Sequence, residues 1–165
     1  MDRILILGLQ GAGKSTLANR LSKKLDREVI HLDKLYYPVG WVHPQTREEW
    51  REEMRNLAKR EKWIMDGNFH STLDIRMPRA DMIIFLDFNK LLCLYRIFKR
   101  VWVSKGQPFD KAIGNKESVS WGLVMKIIKF PRQKTYERLK MYENSKKIYI
   151  LKNDKEVEEL LNNFN

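Results

Sequence analysis

Near the N-terminus an apolar run, Arg3-Ile4-Leu5-Ile6-Leu7, gives way to Gly8-Leu9-Gln10-Gly11-Ala12-Gly13-Lys14-Ser15, and beyond it Leu17, Leu21 and Leu25 recur at i, i+4 and i+8. A buried strand, a glycine-rich turn and an amphipathic helix in that order leave few possible arrangements. Glycines let successive backbone N–H groups curl inward with no Cβ in the way. The start of the helix adds unpaired N–H donors and the positive end of its dipole. The spacing is that of a phosphate-binding loop, or P-loop. Gly8, Gln10, Gly11, Ala12, Gly13, Lys14, Ser15 and Thr16 are the expected ligand-lining residues, with Lys14 reaching the β- and γ-phosphates and the Ser15 hydroxyl ligating Mg²⁺. ATP with Mg²⁺ is the expected ligand, although no base-specific motif separates it from GTP. A ligand-free glycine-rich turn is the alternative.

The rest of the chain continues this opening. Short apolar runs at Arg3–Leu7, Glu28–Leu32, Trp63–Met65, Met82–Leu86 and Lys147–Leu151 show little polar alternation, as strands covered on both faces do. Helical patterns lie between them at Lys14–Leu25, Thr46–Arg60, Asn89–Val103, Ser118–Lys140 and Asp154–Phe164. Thr46 with Glu49 reads as a capping box, Asp154 as a cap, and Pro131 predicts a break near Phe130. Alternation of strand and helix predicts parallel βαβ units. The expected fold is α/β: one three-layer α/β/α P-loop domain over residues 1–165, with a five-stranded parallel sheet in the order 2-3-1-4-5. A helical basic lid is expected over about 96–135, with the glycine- and proline-containing stretch Lys105–Asn115 as its tip.

Three of the later strands end in or lead into an acid. Asp33, Asp66 and Asp87 follow the second, third and fourth runs, and ligands of open α/β sheets sit at the carboxyl ends of strands. Asp33 can take a proton from a hydroxyl or orient it, or else cap the next helix. Asp66, before Gly67, can hold Mg²⁺ or position an acceptor, or else serve as a turn acid. Asp87, after Ile83-Ile84-Phe85-Leu86, looks like the acid of a metal-holding strand end, although one such acid is enough. Ser15, Asp66 and Asp87 are the metal candidates.

Charge separates one region from the others. Residues 88–147 hold 15 Lys and Arg against 4 Asp and Glu, and the remaining chain balances at 17 against 17. Such a segment suits nucleotide phosphates, nucleic acid or anionic lipid, or is a solvated surface. Arg96 and Arg100, at i and i+4, are the candidates for meeting a transferring phosphoryl group, and Arg132 is a third. Tyr36, Tyr37, Trp41, His43 and Trp50 form an aromatic cluster that either stacks on a ligand or is a small core. His31 and His43 lack zinc-ligand spacing. Cys93, the single cysteine, lies in Leu91-Leu92-Cys93-Leu94 and reads as a buried structural thiol. With no signal-peptide pattern and no apolar run of about 18–20 residues, a cytoplasmic protein is expected.

Gly8–Thr16, Asp33-Lys34-Leu35-Tyr36 with Gly40-Trp41, Trp63–Asn68, Arg79-Ala80-Asp81, Ile84–Asp87, and Arg96 with Arg100 together resemble the adenylate-kinase-like branch of P-loop proteins. More closely they are similar to the small DNA topology modulation proteins (FlaR-like). The resemblance spans nearly the whole chain. It implies a nucleoside- or nucleotide-kinase-type fold with a mobile lid. Adenylate kinases carry Asp-Gly-Phe-Pro-Arg after the third strand, where this chain has Asp66-Gly67-Asn68-Phe69-His70 and therefore lacks that arginine. Arg76 and Arg79 are the candidate substitutes. The expected function is transfer of the ATP γ-phosphate to a small acceptor lined by Asp33, Tyr36, Trp41, Asp66 and Arg76, with Lys14, Asp33, Arg96 and Arg100 as catalytic groups. The alternative is a nucleic-acid-associated ATPase or regulator, with DNA as partner, which the family name implies and no DNA-binding motif supports.

Overall fold

Three of the apolar runs become the buried middle of a sheet in the computed structural model, which describes residues 2–37, 45–104 and 121–164. The strands are β1 (Arg3–Gly8), β2 (Val29–His31), β3 (Trp63–Asp66), β4 (Met82–Leu86) and β5 (Lys147–Leu151). They form one five-stranded sheet in the order β2-β3-β1-β4-β5, and each neighbouring pair is parallel. Every residue of β3 and β4 is buried, as is β1 from Ile4 onward, whereas the edge strand β5 is buried only at Leu151. The absence of polar alternation in the central runs is thereby explained.

Helices flank the sheet: α1 (Lys14–Leu25), α2 (Leu32–Tyr36), α3 (Arg47–Lys59), α4 (Leu73–Arg79), α5 (Lys90–Ser104), α6 (Trp121–Ile128), α7 (Arg132–Lys140) and α8 (Asp154–Asn162). This is the three-layer arrangement the sequence predicts. Helix α1 buries Leu17, Ala18 and Leu21 against the sheet; each leucine contributes roughly 1.5–3 kcal/mol by leaving water. Thr46 and Glu49 make a reciprocal capping box at the start of α3, through the Thr46 hydroxyl on the Glu49 N–H and the Glu49 carboxylate on the Thr46 N–H.

Local details differ from the sequence reading. The cap of α8 is Asn153, whose side chain accepts from the Glu156 N–H, so Asp154 becomes the first helical residue. The second strand stops at His31 because Leu32 already begins the short helix α2. Helix α4 was not apparent because Pro78 sits inside it. The chain does break at Phe130, between α6 and α7. Lys105–Asn115, the expected lid tip, lies outside the described residues, as do Ser118, Trp41 and His43. No helix among the described residues is long and apolar enough to cross a membrane.

The parallel sheet puts the strands' carboxyl ends on one edge. Ile6 pairs with Asp66, Gly8 with Leu86, and His31 with Asp66. The loop from Gly8 to Gly13 leaves β1 at that edge and turns into α1 beside the ends of β2, β3 and β4.

Candidate active site

Two glycines shape the loop. Gly13 is the N-cap of α1 with φ 91°, a left-handed conformation that side chains resist. Gly11, at φ 81°, lies against α5, where a Cβ would come within 2.5 Å of the Cys93 carbonyl and 2.9 Å of Ile97. Cys93 is a buried free thiol with its pKa raised by burial, and it is its backbone carbonyl that makes the close approach. That approach ties the position of α5 to the loop. Ala12 is buried, Gln10 is half-buried, and Thr16 is exposed at the start of α1.

Lys14 folds back over the loop and donates from Nζ to the carbonyls of Gly8 and Leu9, both at 3.0 Å. Burial lowers its pKa, opposed by the negative charge of Asp33 and Asp66; Arg100 lowers it further. The next residue, Ser15, donates its hydroxyl to Asp66 Oδ2 at 2.5 Å. The other Asp66 oxygen lies 2.7 Å from His31 Nδ1. Asp66 itself is only 4% exposed, so its carboxylate is aimed at these two groups and away from bulk water. A hydroxyl and a carboxylate side by side are hard oxygen donors of the kind Mg²⁺ accepts alongside water and phosphate.

Asp33 lies in the first turn of α2. The N-cap there is His31, without a side-chain cap bond, so Asp33 does not cap the helix. Its side chain opens to solvent, yet the surrounding protein raises its pKa by desolvation. Lys14 and Lys126 pull that pKa back down, and Asp66 pushes it up. The group is thus a carboxylate held among two cations and a second acid, at the end of β2 and next to the loop.

The other candidate residues have different surroundings. Arg76 is wholly buried, and its guanidinium donates to the carbonyls of Gly67 (2.9 Å), Asn68 (2.6 Å) and Phe69 (3.0 Å). Burial brings its pKa down to about 9. The acceptor candidate Arg76 thus turns both terminal nitrogens to backbone carbonyls, and none of it reaches solvent. Arg96, a candidate for meeting the phosphoryl group, pairs with Asp154 of α8 at 2.5 Å and lies 5.0 Å from the centre of the Phe88 ring. Asp87, also buried, accepts from Arg132 and from the Tyr136 hydroxyl (2.5 Å), both on α7. Its carboxylate thus faces α7, where the metal candidate Asp87 and the arginine candidate Arg132 meet. Arg100 differs from Arg96 in that its charge is felt at Lys14.

Tyr36 packs edge-on against Tyr37 (4.7 Å) and Trp50 (4.9 Å) and tilts against Phe69 (4.7 Å). Trp50 is 1% exposed, so the described part of the aromatic cluster is packing, with Tyr36 half-exposed at its rim beside Asp33.

Three residues near the site escaped sequence reasoning. His31 lacks zinc-ligand spacing and has no other local signal, yet it contacts Asp66. Lys126 sits in the apolar run of α6 with nothing local to mark it. Asn68 accepts from the Gly8 N–H and donates to the Gly8 carbonyl. Its only sequence signal is a short amide after Gly67, which by itself reads as a turn.

A family model described as AAA domain matches residues 4–122. The chain belongs to that family. It is 31% identical over 102 residues to the uncharacterized protein YqaC of Bacillus subtilis (strain 168), an alignment that covers 59% of this chain. It covers 55% of YqaC, so the chain spans about half the length of that curated relative. Among solved structures, the shikimate kinase of Acinetobacter baumannii in complex with shikimate superposes with a TM-score of 0.61 at 17% identity, covering 99% of this chain and 90% of that one. An unliganded sugar kinase from a Janibacter species gives 0.56 at 15% identity, covering 98% and 94%. At these identities the likeness establishes the fold alone, an α/β P-loop fold.

Proposed function

We propose that the chain binds Mg·ATP in the loop Gly8–Thr16 and moves the terminal phosphoryl group to the hydroxyl of a small acceptor held beside Asp33. The observation that carries this reading is the convergence at one sheet edge of Lys14, the Ser15–Asp66 pair and an Asp33 carboxyl whose pKa is raised. In this reading the loop amides and Lys14 grip the phosphates, and Ser15 and Asp66 hold Mg²⁺, directly or through water. The ion supplies charge neutralisation on the phosphate oxygens. Asp33 accepts the acceptor's proton as its oxygen bonds to the γ-phosphorus and the bond to the β-phosphate oxygen breaks, leaving ADP. A raised pKa brings a carboxylate nearer to the range in which it accepts a proton usefully. Arg100 and Lys126 are the cations best placed to meet the phosphoryl charge, and Tyr36 lines the acceptor side. A cytoplasmic setting belongs to the same reading.

Transfer from labelled ATP to a panel of nucleosides, nucleotides, sugars and small hydroxy acids is the test, with shikimate included because a structural neighbour binds it. Phosphorylated product from one acceptor class is expected. Normal ATP binding with no transfer to any of them overturns the transfer step, and calorimetry with Mg²⁺ that detects no heat from any triphosphate overturns the whole reading.

The second reading is a nucleic-acid-associated ATPase of the DNA topology modulation type. The observation favouring it is that α5 and α6 contain no acidic residue and expose Lys99, Arg100 and Lys126. It requires DNA affinity that falls steeply with salt. Absence of a gel shift at low salt removes it.

A further inference from the structure

The loop after β3 reaches back onto the phosphate loop through one side chain. Asn68 accepts from the Gly8 N–H through Oδ1 at 3.1 Å and donates from Nδ2 to the Gly8 carbonyl at 2.7 Å. One amide therefore takes both backbone groups of the residue that opens the loop. The same carbonyl accepts a second bond, from Lys14 Nζ at 3.0 Å. A carbonyl oxygen has two lone pairs and can hold both donors. Asn68 is itself held from behind, because the buried Arg76 donates to the carbonyls of Gly67, Asn68 and Phe69. Phe69 takes a positive φ of 28°, rare for a non-glycine residue, and its carbonyl also accepts from the Thr72 N–H and hydroxyl.

A lysine that is to meet phosphate must leave the carbonyls it rests on. A buried carbonyl stripped of its donor lowers the relevant equilibrium constant by roughly five- to hundredfold. We propose that Asn68 is a positioning residue that keeps the Gly8 carbonyl bonded when Lys14 leaves it for the phosphates of a nucleotide. The proposal rests on the triphosphate-binding reading above. It assigns Arg76 a part as well: the buried guanidinium fixes the backbone from which Asn68 reaches Gly8. The residue after Asp66-Gly67, where the adenylate-kinase motif has phenylalanine, thus carries a side chain that serves the loop from beneath.

A double-mutant cycle separates this from a plain structural brace. Urea unfolding without nucleotide is compared for the parent, Lys14→Met, Asn68→Ala and the double variant. With Asn68 present, losing Lys14 leaves the Gly8 carbonyl bonded; without Asn68 it leaves that carbonyl bare. Lys14→Met is expected to lower the folding constant about tenfold more in the Asn68→Ala background than in the parent. The Leu9 carbonyl loses its lysine in both backgrounds and cancels. Additive effects overturn the proposal. Should the double variant not fold, the cycle is run with Asn68→Ser, whose shorter side chain does not span to the carbonyl.

Calorimetry with Mg·ATP supplies the functional arm. Asn68→Ala is expected to raise Kd about tenfold over the parent, and a Kd within twofold overturns the proposal. A parent protein that takes up no triphosphate overturns the reading beneath the proposal instead, while the urea cycle decides by itself whether the two donors share the carbonyl.

Discussion

Asp66 at the end of β3 and Asp87 just after β4 flank the central strand on its two sides, and both are 4% exposed. Asp66 accepts from Ser15 at the start of α1 and contacts His31 at the end of β2. Asp87 accepts from Arg132 and Tyr136 of α7, and its N–H donates to the Leu151 carbonyl of the edge strand. The pairing register explains the difference. Asp66 is level with Ile6, two residues before Gly8, so its side chain comes up beneath the loop. Asp87 follows Leu86, which is level with Gly8 itself, so it lies past the last pair of β1 and under another helix. An acid at a strand end belongs to the loop only if the register brings it under the first helix. The same contrast runs through the arginines: Arg76 is spent on backbone, Arg96 on Asp154 of α8 and Arg132 on Asp87, while the charge of Arg100 is felt at Lys14.

Substitutions on the two sides of β1 sharpen or break this comparison. Removing the lysine is the largest change: Lys14→Ala should weaken Mg·ATP binding on the order of 10²-fold, the worth of charge-assisted bonds to phosphate, with a far-ultraviolet spectrum like the parent's. Calorimetry showing parent-like affinity would contradict the site assignment. Next comes Asp66→Asn, expected to lower Mg²⁺-dependent transfer about 10–100-fold, the range for groups that hold or orient a metal. Rates read across a Mg²⁺ titration check it, since a lost metal ligand shifts the midpoint as well as the maximum.

Asp87→Asn is the counterpart on the other side of β1. It should cost about 1–2 kcal/mol of stability through weaker bonds to Arg132 and Tyr136 and leave the Kd for Mg·ATP within about twofold. Equal losses of nucleotide affinity in the two Asn variants would erase the distinction between the strand ends.

The smallest expected effect is a pH dependence. Asp33 has a folded pKa raised above its ordinary 3.8, mainly by desolvation. The folded state therefore holds this proton to higher pH than the unfolded chain does. The group's favourable contribution is complete below pH 3.8 and is lost as pH rises through the raised folded value. Asp33→Asn should accordingly melt higher than the parent at neutral pH, with the gap closing on acidification. A constant gap from neutral to acid pH, followed by differential scanning calorimetry, would count against the raised pKa.

Much of the fold was readable from local patterns. Apolar runs without alternation mark strands covered on both faces, a threonine three residues before a glutamate marks the start of α3, and Pro131 marks the break before α7. Each depends on forces acting within a few residues, which a sequence carries directly. Helix α4 was hidden by Pro78, which helices usually exclude, and α2 by its length of five residues. Around the site, the strand before the loop and the helix after it were legible for the same local reason. The partners of Asp87, Arg76, Arg96 and Arg132 were not. A long cationic side chain joins whichever acid or carbonyl the packing brings near, and these partners lie 45 to 58 positions away for Asp87 and Arg96.

What the sequence by itself determined is the order of strand, glycine loop and helix, hence a P-loop turn with Lys14 and Ser15 at its close. Glycine, lysine and serine confer these properties wherever the chain places them. The tertiary structure alone decided which of several aspartates and arginines join that turn, and that Asn68 bonds Gly8 at its start. Side-chain reach is a few ångströms, so strand register and helix placement, which no short stretch of sequence encodes, settle which groups meet.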